Sequence, residues 1–152
     1  MTFWTKLKVS LVCFSLFCYH FLLAFLGMNF TASLLITLAL IPSHVAENSL
    51  FLLPDENGLM PNSWSHHQLL SVIDFATKNW FLNFLFGGFN HHVAHHLFPS
   101  INHAHCTAIT PIIKQTSIDF GLPYNHEDSF VNAYVSHYRL LKNNGVQPKT
   151  EL

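Results

Sequence analysis

The chain has 152 residues, the length of about one domain. Half of its residues are hydrophobic, only 10% are charged and the formal net charge is −1, whereas an average soluble domain has about a quarter charged residues. This composition excludes a disordered chain and a basic nucleic-acid-binding module. Twelve histidines outnumber the seven lysines and arginines, so histidine is the residue type that most needs an explanation.

The first predicted elements are two membrane helices. The 38 residues from Val9 to Ala46 contain no Asp, Glu, Lys or Arg, and one crossing of a bilayer needs about 20 apolar residues. Gly27–Asn29 lies near the middle of this stretch and is the expected turn. The sequence therefore predicts helices over about 9–26 and 30–50, which form a transmembrane hairpin within residues 1–53.

Two other interpretations of the apolar stretch are less favoured. A secretory signal peptide has a shorter apolar core of about 7–15 residues, followed by a cleavage site with small residues, and no such site follows here. A buried helix of a soluble protein fits either apolar run by itself. Two such runs in succession without a charge favour the membrane.

The basic residues predict the orientation of this hairpin. Lys6 and Lys8 precede the first helix, and the other five basic residues follow the second. Cytoplasmic segments next to membrane helices are enriched in Lys and Arg. The residues from 54 to 152 are thus expected to form a cytoplasmic C-terminal region of an integral membrane protein.

This C-terminal region is expected to be helical, so that the whole chain belongs to the all-α class. Pro54–Gly58 has the composition of a turn, and no alternating strand pattern follows. The very apolar segment Trp80–Phe86 is a candidate for an interfacial membrane segment. The predicted helices cover residues 64–86, 90–97, 107–120 and 127–141, with Gly87, Pro99, Gly121 and Gly145 as the stop signals.

Four histidines occur within six residues in the segment GGFNHHVAHHLFP, residues 87–99. On a helix, each residue advances by about 100°, so His92, His95 and His96 share a face about 100° wide and can converge on a metal ion. His91 lies at the margin of that face and is a poorer candidate. Imidazole suits Zn, Cu, Fe and Ni alike. No Asp or Glu occurs between Asp74 and Asp119, which argues against a zinc hydrolase with a nearby carboxylate base.

Other roles fit these histidines less well. A lone histidine on an apolar face is usually a packing residue, and an adventitious metal-binding tract is expected in a polar tail, so neither explains this cluster well. His44 lies at the end of the second apolar run, where an ionisable residue is either functional or a marker of the membrane interface. His20 is expected to be a hydrogen-bonded packing residue.

Several motifs share their order and approximate spacing with one protein family. The octapeptide HVAHHLFP resembles the third histidine box of the membrane fatty acid desaturases, and GGFN resembles the segment that precedes that box. The further matching motifs are Ser43–Glu47, Pro54–Gly58, Trp64 with His67-Gln68, Asp74-Phe75 and Ile101–His105. The chain is therefore identified as a candidate member of this family from about Ser43 to Tyr124.

The resemblance implies a function, a cofactor and partners. Family members use two irons held by histidines to activate dioxygen and to introduce a cis double bond into a fatty acyl chain of a membrane lipid or related substrate. Electrons come from a carrier such as ferredoxin or cytochrome b5. By resemblance, His92, His95 and His96 are iron ligands, and His44 matches an isolated fourth histidine ligand. His103 and His105 belong to a family-like motif without a clear role.

The chain departs from the family pattern in more than one respect. Many front-end members of the family carry Gln where this chain has His92 and Glu where it has Ala94, so the resemblance favours a front-end desaturase less. The first two histidine boxes of the family are not found, since His20 is the one histidine before His44. The sequence is therefore expected to be the C-terminal part of a desaturase that needs a separate N-terminal half to supply the remaining ligands. The alternatives are a catalytically inert membrane fragment and a histidine-box lipid hydroxylase or ketolase.

Overall fold

The computed structural model describes residues 2–145; residues 146–152, which include Lys149 and the end of the predicted cytoplasmic region, lie outside the described residues. The chain divides into two compact units, Met1–Ile36 and Thr37–Leu152. The elements are α1 Phe3–His44, α2 Trp64–Ser71, β1 Asp74–Phe75, α3 Trp80–Leu85, α4 His92–Leu97, a 3-10 turn His103–His105, α5 Cys106–Asp119, β2 His126–Glu127 and α6 Phe130–Gly145. The chain is mostly helical, as the sequence predicts.

Helix α1 is continuous where the sequence predicts two helices. The expected turn at Gly27–Asn29 does not form, because the polar residues there are satisfied within the helix. Asn29 donates a side-chain hydrogen bond to the carbonyl of Phe25, and Thr31 donates one to that of Gly27. The helix also ends at His44 and not at residue 50, which corrects the predicted bounds.

Helix α1 has 42 residues and is long and apolar enough to cross a bilayer. Among the described residues, it is the one helix that meets this criterion. Its large apolar side chains are exposed all around the helix, including Phe14, Phe17, Phe21 and Phe30. A helix that is apolar on every face is typical of a membrane-spanning segment or of the core of a large protein.

The predicted helix over residues 64–86 is wrong, because a short strand interrupts it. Val72 is extended, with φ −129° and ψ 160°, and it ends α2. Strand β1 then pairs in parallel with β2, with Asp74 opposite His126 and Phe75 opposite Glu127. Helix α3 begins anew where the side chain of Asn79 accepts hydrogen bonds from the next turn. Two strands of two residues thus qualify the all-α prediction.

The later helices lie close to their predicted positions. Helix α5 ends one residue before the predicted limit, and Gly121 follows it with φ +62°. The amide of Gly121 donates to the carbonyl of Ile118, and that of Leu122 donates to Ser117, as expected for a glycine C-cap. Helix α6 begins at Phe130 and not at Glu127, because Glu127 belongs to strand β2.

The second unit has two buried apolar clusters. One joins α2, α4 and α5, and the other joins the last turns of α1 to β1, α3 and α6. The first contains Leu69, Val72, Val93, Ala94, Cys106 and Ile113, and the second contains Ala39, Phe75, Ala76, Phe86 and Ala133. Helix α6 also forms hydrogen bonds with the end of α1 and with the residue that follows it, since Tyr134 donates to the carbonyl of Leu38 at 3.1 Å and His137 donates to that of Val45 at 2.7 Å. These contacts hold the end of α1 against α6.

Candidate metal centre

Three imidazoles meet where the end of α1 faces α4. The Nε2 atom of His92 lies 2.8 Å from Nε2 of His44 and 3.2 Å from Nε2 of His96. One ring nitrogen from each residue lies within 4.8 Å of the other two. His92 and His96 are one helical turn apart on α4, and residues four apart share a helix face. Tertiary packing brings His44 to this pair from 48 residues away in the sequence.

The environment keeps these imidazoles neutral. Burial lowers the pKa of His92 and of His96 well below the usual value, and the neighbouring imidazoles lower both further. Removal from water disfavours the charged form of histidine. At neutral pH, these rings therefore offer nitrogen lone pairs, which is the form that binds a metal.

Gln68 of α2 fixes the tautomer of His96. The Nδ1 atom of His96 lies 2.7 Å from Oε1 of Gln68, and an amide oxygen can only accept a hydrogen bond. The proton of the ring is therefore on Nδ1, and the lone pair is on Nε2, the atom that faces His92. A histidine that ligates a metal usually donates its other nitrogen to such a partner.

The donor set fits a transition-metal ion. When three Nε2 atoms face one another, protons on the rings can satisfy some of these nitrogens but not all three, and the Nε2 atom of His96 has no proton to donate. Imidazole nitrogen is a ligand for Fe, Zn, Cu and Ni. The Nδ1 atom of His92 is buried without a hydrogen-bond partner among the described residues. His44, His92 and His96 thus form a group that could hold a metal ion.

His95, the fourth predicted ligand, is not part of this cluster. Its ring packs against Phe89 and His103, with centroid distances of 5.7 and 5.8 Å, and lies 5.5 Å from the ring of His92. Its Nδ1 atom is buried without a hydrogen-bond partner in the described part of the chain. The structure thus brings three of the four predicted ligands together and places His95 beside them.

The buried carboxylate of Asp74 positions α4. It accepts a hydrogen bond from the backbone amide of Val93 at 2.8 Å and another from the hydroxyl of Tyr124. A carboxylate at a helix N-terminus satisfies free amides and interacts favourably with the helix dipole. Burial raises the pKa of Asp74 to about 6, although these hydrogen bonds act to lower it. Asp74 therefore anchors the helix that carries His92 and His96.

The glycine pair before the histidine segment allows a close backbone contact. Gly88 has φ +86°, and a Cβ atom at this position would lie 2.3 Å from the carbonyl oxygen of His103. Both the positive φ and the lack of space require glycine. Asn90 adds two hydrogen bonds from its side-chain amide, to the carbonyl of Phe75 and to Oδ1 of Asn83. The loop into α4 is thus fixed by backbone and amide contacts.

A cavity of about 430 Å³ opens beside the histidine cluster. His44, His67 and His96 contribute imidazoles to its wall, and the rest of the wall is mostly apolar. The other lining residues are Val45, Leu50, Phe51, Leu52, Leu53, Ser71 and Val72. An apolar space of this kind is suited to a hydrocarbon ligand with few polar groups.

The other histidines considered in the sequence analysis lie outside the cluster of His44, His92 and His96. His91 is buried and lies within hydrogen-bond distance of Thr110 and Asn83, which agrees with its poorer standing as a ligand. His20 hydrogen-bonds the carbonyl of Leu16 in its own helix. His103 packs on Phe89, and His105 is exposed.

Sequence reasoning did not assign a role to Gln68, Asp74 or His67, although all three fall within the family-like motifs. No spacing rule connects Gln68 to His96, since the two residues lie 28 positions apart on different helices. One signal was available for Asp74. It is the last acidic residue before a stretch without any, and a lone carboxylate next to an apolar strand is expected to have a specific partner.

Comparisons with known proteins agree with these observations. The fatty acid desaturase family matches residues 2–128 of the chain. The chain is 42% identical to the sn-1 linoleoyl-lipid 6-desaturase of Synechocystis sp. over 101 residues, which are 66% of this chain and 28% of that protein. It is 33% identical to the acyl-lipid (8-3)-desaturase of Mortierella alpina over 130 residues, or 86% of this chain and 29% of that protein.

A third relative, the sn-1 linoleoyl-lipid 6-desaturase of Arthrospira platensis, is 36% identical over 72% of this chain and 29% of its own length. The chain thus spans less than a third of the length of these curated relatives. No solved structure gave a significant match. With a family match over most of its length and a histidine cluster formed by the family-like motifs, the chain belongs to the fatty acid desaturase family.

Proposed function

We propose that this chain is the metal-binding, C-terminal part of an iron-dependent fatty acid desaturase. His44, His92 and His96 hold one iron, and His95 contributes to a second iron whose other ligands come from histidines outside this chain. Iron bound in this way supplies the activation of dioxygen that removes two hydrogens from an acyl chain. The convergence of the three Nε2 atoms is the single observation that carries this proposal.

The residues around the cluster support a role in substrate placement. The cavity beside His44 and His96 has an apolar wall that includes Leu50 and Leu53. An acyl chain in this cavity excludes water from the imidazoles and presents its methylene groups to the metal-binding side. We propose a fatty acyl lipid as the substrate, which agrees with the names of the relatives.

Two partners are part of the proposal. The electrons come from a separate carrier such as ferredoxin or cytochrome b5. The remaining iron ligands come from an N-terminal half, supplied by a separate polypeptide or by a longer form of the protein. The share of the relatives that this chain spans, 28–29%, supports the need for such a half.

We also propose that α1 is inserted in the membrane and that residues 54–152 are cytoplasmic. The absence of charged residues from Val9 to Ala46 supports insertion. Five of the seven basic residues follow this stretch, and basic residues are retained on the cytoplasmic side.

Iron binding tests the ligand assignment. The chain is purified in lipid nanodiscs, loaded with ferrous iron without oxygen, washed and analysed for iron per chain. We expect bound iron in the parent chain and its loss in His44→Ala, His92→Ala and His96→Ala, because each change removes a donor. His105→Ala is the matched control, since His105 is an exposed histidine close to the site in sequence. Equal iron in all four variants would show that these histidines are not the ligands.

Acyl-chain analysis tests the activity. The chain is co-expressed with a candidate N-terminal half that carries the missing histidine boxes, and the total lipid is analysed for new double bonds. New double bonds that need both polypeptides and His92 support the desaturase. Hydroxylated or keto products would instead assign a histidine-box hydroxylase or ketolase. Iron binding without any product in the presence of the second half would favour the inert fragment.

Cysteine accessibility tests the topology. In a background without the three native cysteines, Ser100→Cys reports on the region after α1, and Thr2→Cys reports on the N-terminal side. A membrane-impermeant maleimide should label the Ser100→Cys variant in inverted vesicles and not in intact spheroplasts. Labelling of the Thr2→Cys variant from the same side indicates two crossings, and labelling from the opposite side indicates one. Labelling of the Ser100→Cys variant from outside would overturn the orientation.

A further inference from the structure

Helix α3 has an outer face that is strongly apolar and exposed. Trp80, Phe81 and Phe84 are exposed by 77%, 52% and 78%, and Leu85 lies at the edge of the same face. Exposed large side chains are common on proteins when they occur singly. Three aromatic residues within one short helix form a continuous patch, which is typical of an interaction surface.

The inner face of α3 packs beside the end of α1. Leu82 and Phe86 belong to the apolar cluster that also contains Leu38 and Ala39. Leu38 precedes His44 by six residues, or about 9 Å along a helix axis. Leu38 and Ala39 also lie within the stretch of α1 that carries no charged residue. Helix α3 is therefore located at the level where this apolar stretch approaches its end.

The charges along the segment that carries α3 favour a lipid surface as its partner. Lys78 lies two residues before α3 and is exposed, and no acidic residue occurs from Phe75 to Ile118 in the sequence. The acidic side chain of Asp128, which follows β2 beside this segment, lies 3.6 Å from the imidazole of His126. Lysine next to an aromatic side chain is suited to the boundary between phospholipid head groups and acyl chains. Phe120 is equally exposed, at 76%, but it directly follows Asp119 and caps α5, which belongs to the other apolar cluster.

We propose that α3 lies in the interface of the phospholipid bilayer, with Trp80, Phe81 and Phe84 at the head-group boundary and Lys78 at the phosphates. This proposal rests on the membrane insertion of α1 proposed above. The bilayer surface then fixes the depth at which His44 lies, because α3 packs against the turns of α1 that precede His44. An apolar helix face is buried by about 5–10 Å at such a boundary.

Tryptophan quenching in nanodiscs tests the proposal. The full chain has three tryptophans, Trp4, Trp64 and Trp80, so that the double variant Trp4→Phe, Trp64→Phe leaves Trp80 as the reporter. Nanodiscs are made from phosphatidylcholine and phosphatidylglycerol, with or without bromine on the acyl carbons nearest the glycerol. We expect the bromines to lower the emission of Trp80 by about half, since the indole lies at that depth.

Two matched reporters make the result decisive. In a background without native tryptophan, Phe120→Trp is expected to remain unquenched, and Phe21→Trp, in the middle of α1, is expected to be quenched by bromines deep in the acyl chains. Quenching of the α1 reporter without quenching of Trp80 would overturn the proposal for α3 and leave the insertion of α1 standing. If neither Trp80 nor the Phe21→Trp reporter were quenched, the proposed membrane insertion of α1 itself would be wrong. Equal quenching of Trp80 and the Phe120→Trp reporter would show that α3 has no particular contact with lipid.

Discussion

The two units of this chain are stabilised in different ways. In the first unit, the polar side chains bond to backbone carbonyls four residues earlier in the same helix, as Ser15, His20 and Thr31 do. In the second unit, the important polar contacts join distant parts of the chain, such as His92 with His44 and Asp74 with Tyr124. The comparison teaches that local sequence suffices for the helix, whereas the histidine cluster depends on tertiary packing.

The two units should respond in opposite ways to an added methyl group at glycine. Gly88→Ala is expected to destabilise the second unit by about 4 kcal/mol or more, because its Cβ atom meets the carbonyl of His103 and its φ is positive. Gly27→Ala meets nothing within 4 Å, and alanine is the better helix former by about 1 kcal/mol. Denaturation in micelles measures both changes, and equal effects would contradict the distinction between the units.

The pH dependence of stability should belong to the second unit. Asp74 has a pKa of about 6 in the folded chain, against a usual value of 3.8, because burial disfavours its charged form. As the pH rises, Asp74 therefore loses its proton at a lower pH in the unfolded chain than in the folded chain. The contribution of Asp74 is therefore most favourable below about pH 4 and decreases by roughly 3 kcal/mol up to about pH 6.

The variant Asp74→Asn tests this dependence, since asparagine does not titrate. The free energy of unfolding is measured in the absence of metal from pH 4 to pH 7 for the parent and the variant. We expect the free energy of unfolding of the parent, relative to that of the variant, to decrease as the pH rises from 4 to 7. A difference that stays constant across this range would show that Asp74 titrates at its usual pKa.

Loss of the hydrogen bond between Gln68 and His96 should have a smaller effect, and this effect should be specific to metal affinity. Gln68→Leu removes the acceptor for Nδ1 of His96, and the loss of such a partner lowers metal affinity by about 10- to 100-fold. Gln68→Glu keeps an acceptor oxygen at the same place and is expected to retain the affinity. Competition with a metal chelator measures both variants. Equal affinities of the leucine variant and the parent would exclude this positioning role.

The smallest expected effect concerns the junction of α6 with the end of α1. Tyr134 donates its hydroxyl to the carbonyl of Leu38 at 3.1 Å, and a hydrogen bond of this kind contributes about 1 kcal/mol. Tyr134→Phe should lower the stability of the second unit by that amount. Tyr138→Phe serves as the control, because Tyr138 lies on the exposed face of the same helix. If both variants were equally stable, the bond to Leu38 would not contribute.

The local sequence predicted the elements with strong patterns. The charge-free stretch indicated helix for most of α1, and Gly121 marked the end of α5. The spacing of His92 and His96 placed them on one face, which the structure confirms. The turn at Gly27–Asn29 was not predictable in this way, because Gly and Asn are compatible with a long apolar helix when its hydrogen bonds remain satisfied.

By itself, the sequence determined that the chain is rich in helix, that α1 is suited to a bilayer and that His92 and His96 share a helix face. These properties follow from composition and from periods of three or four residues, which act within one element. Only the tertiary structure decided that β1 interrupts the predicted helix over 64–86, that Gln68 binds His96 and that His44 completes the cluster. Such contacts join residues far apart in the sequence, and their positions depend on how whole helices pack.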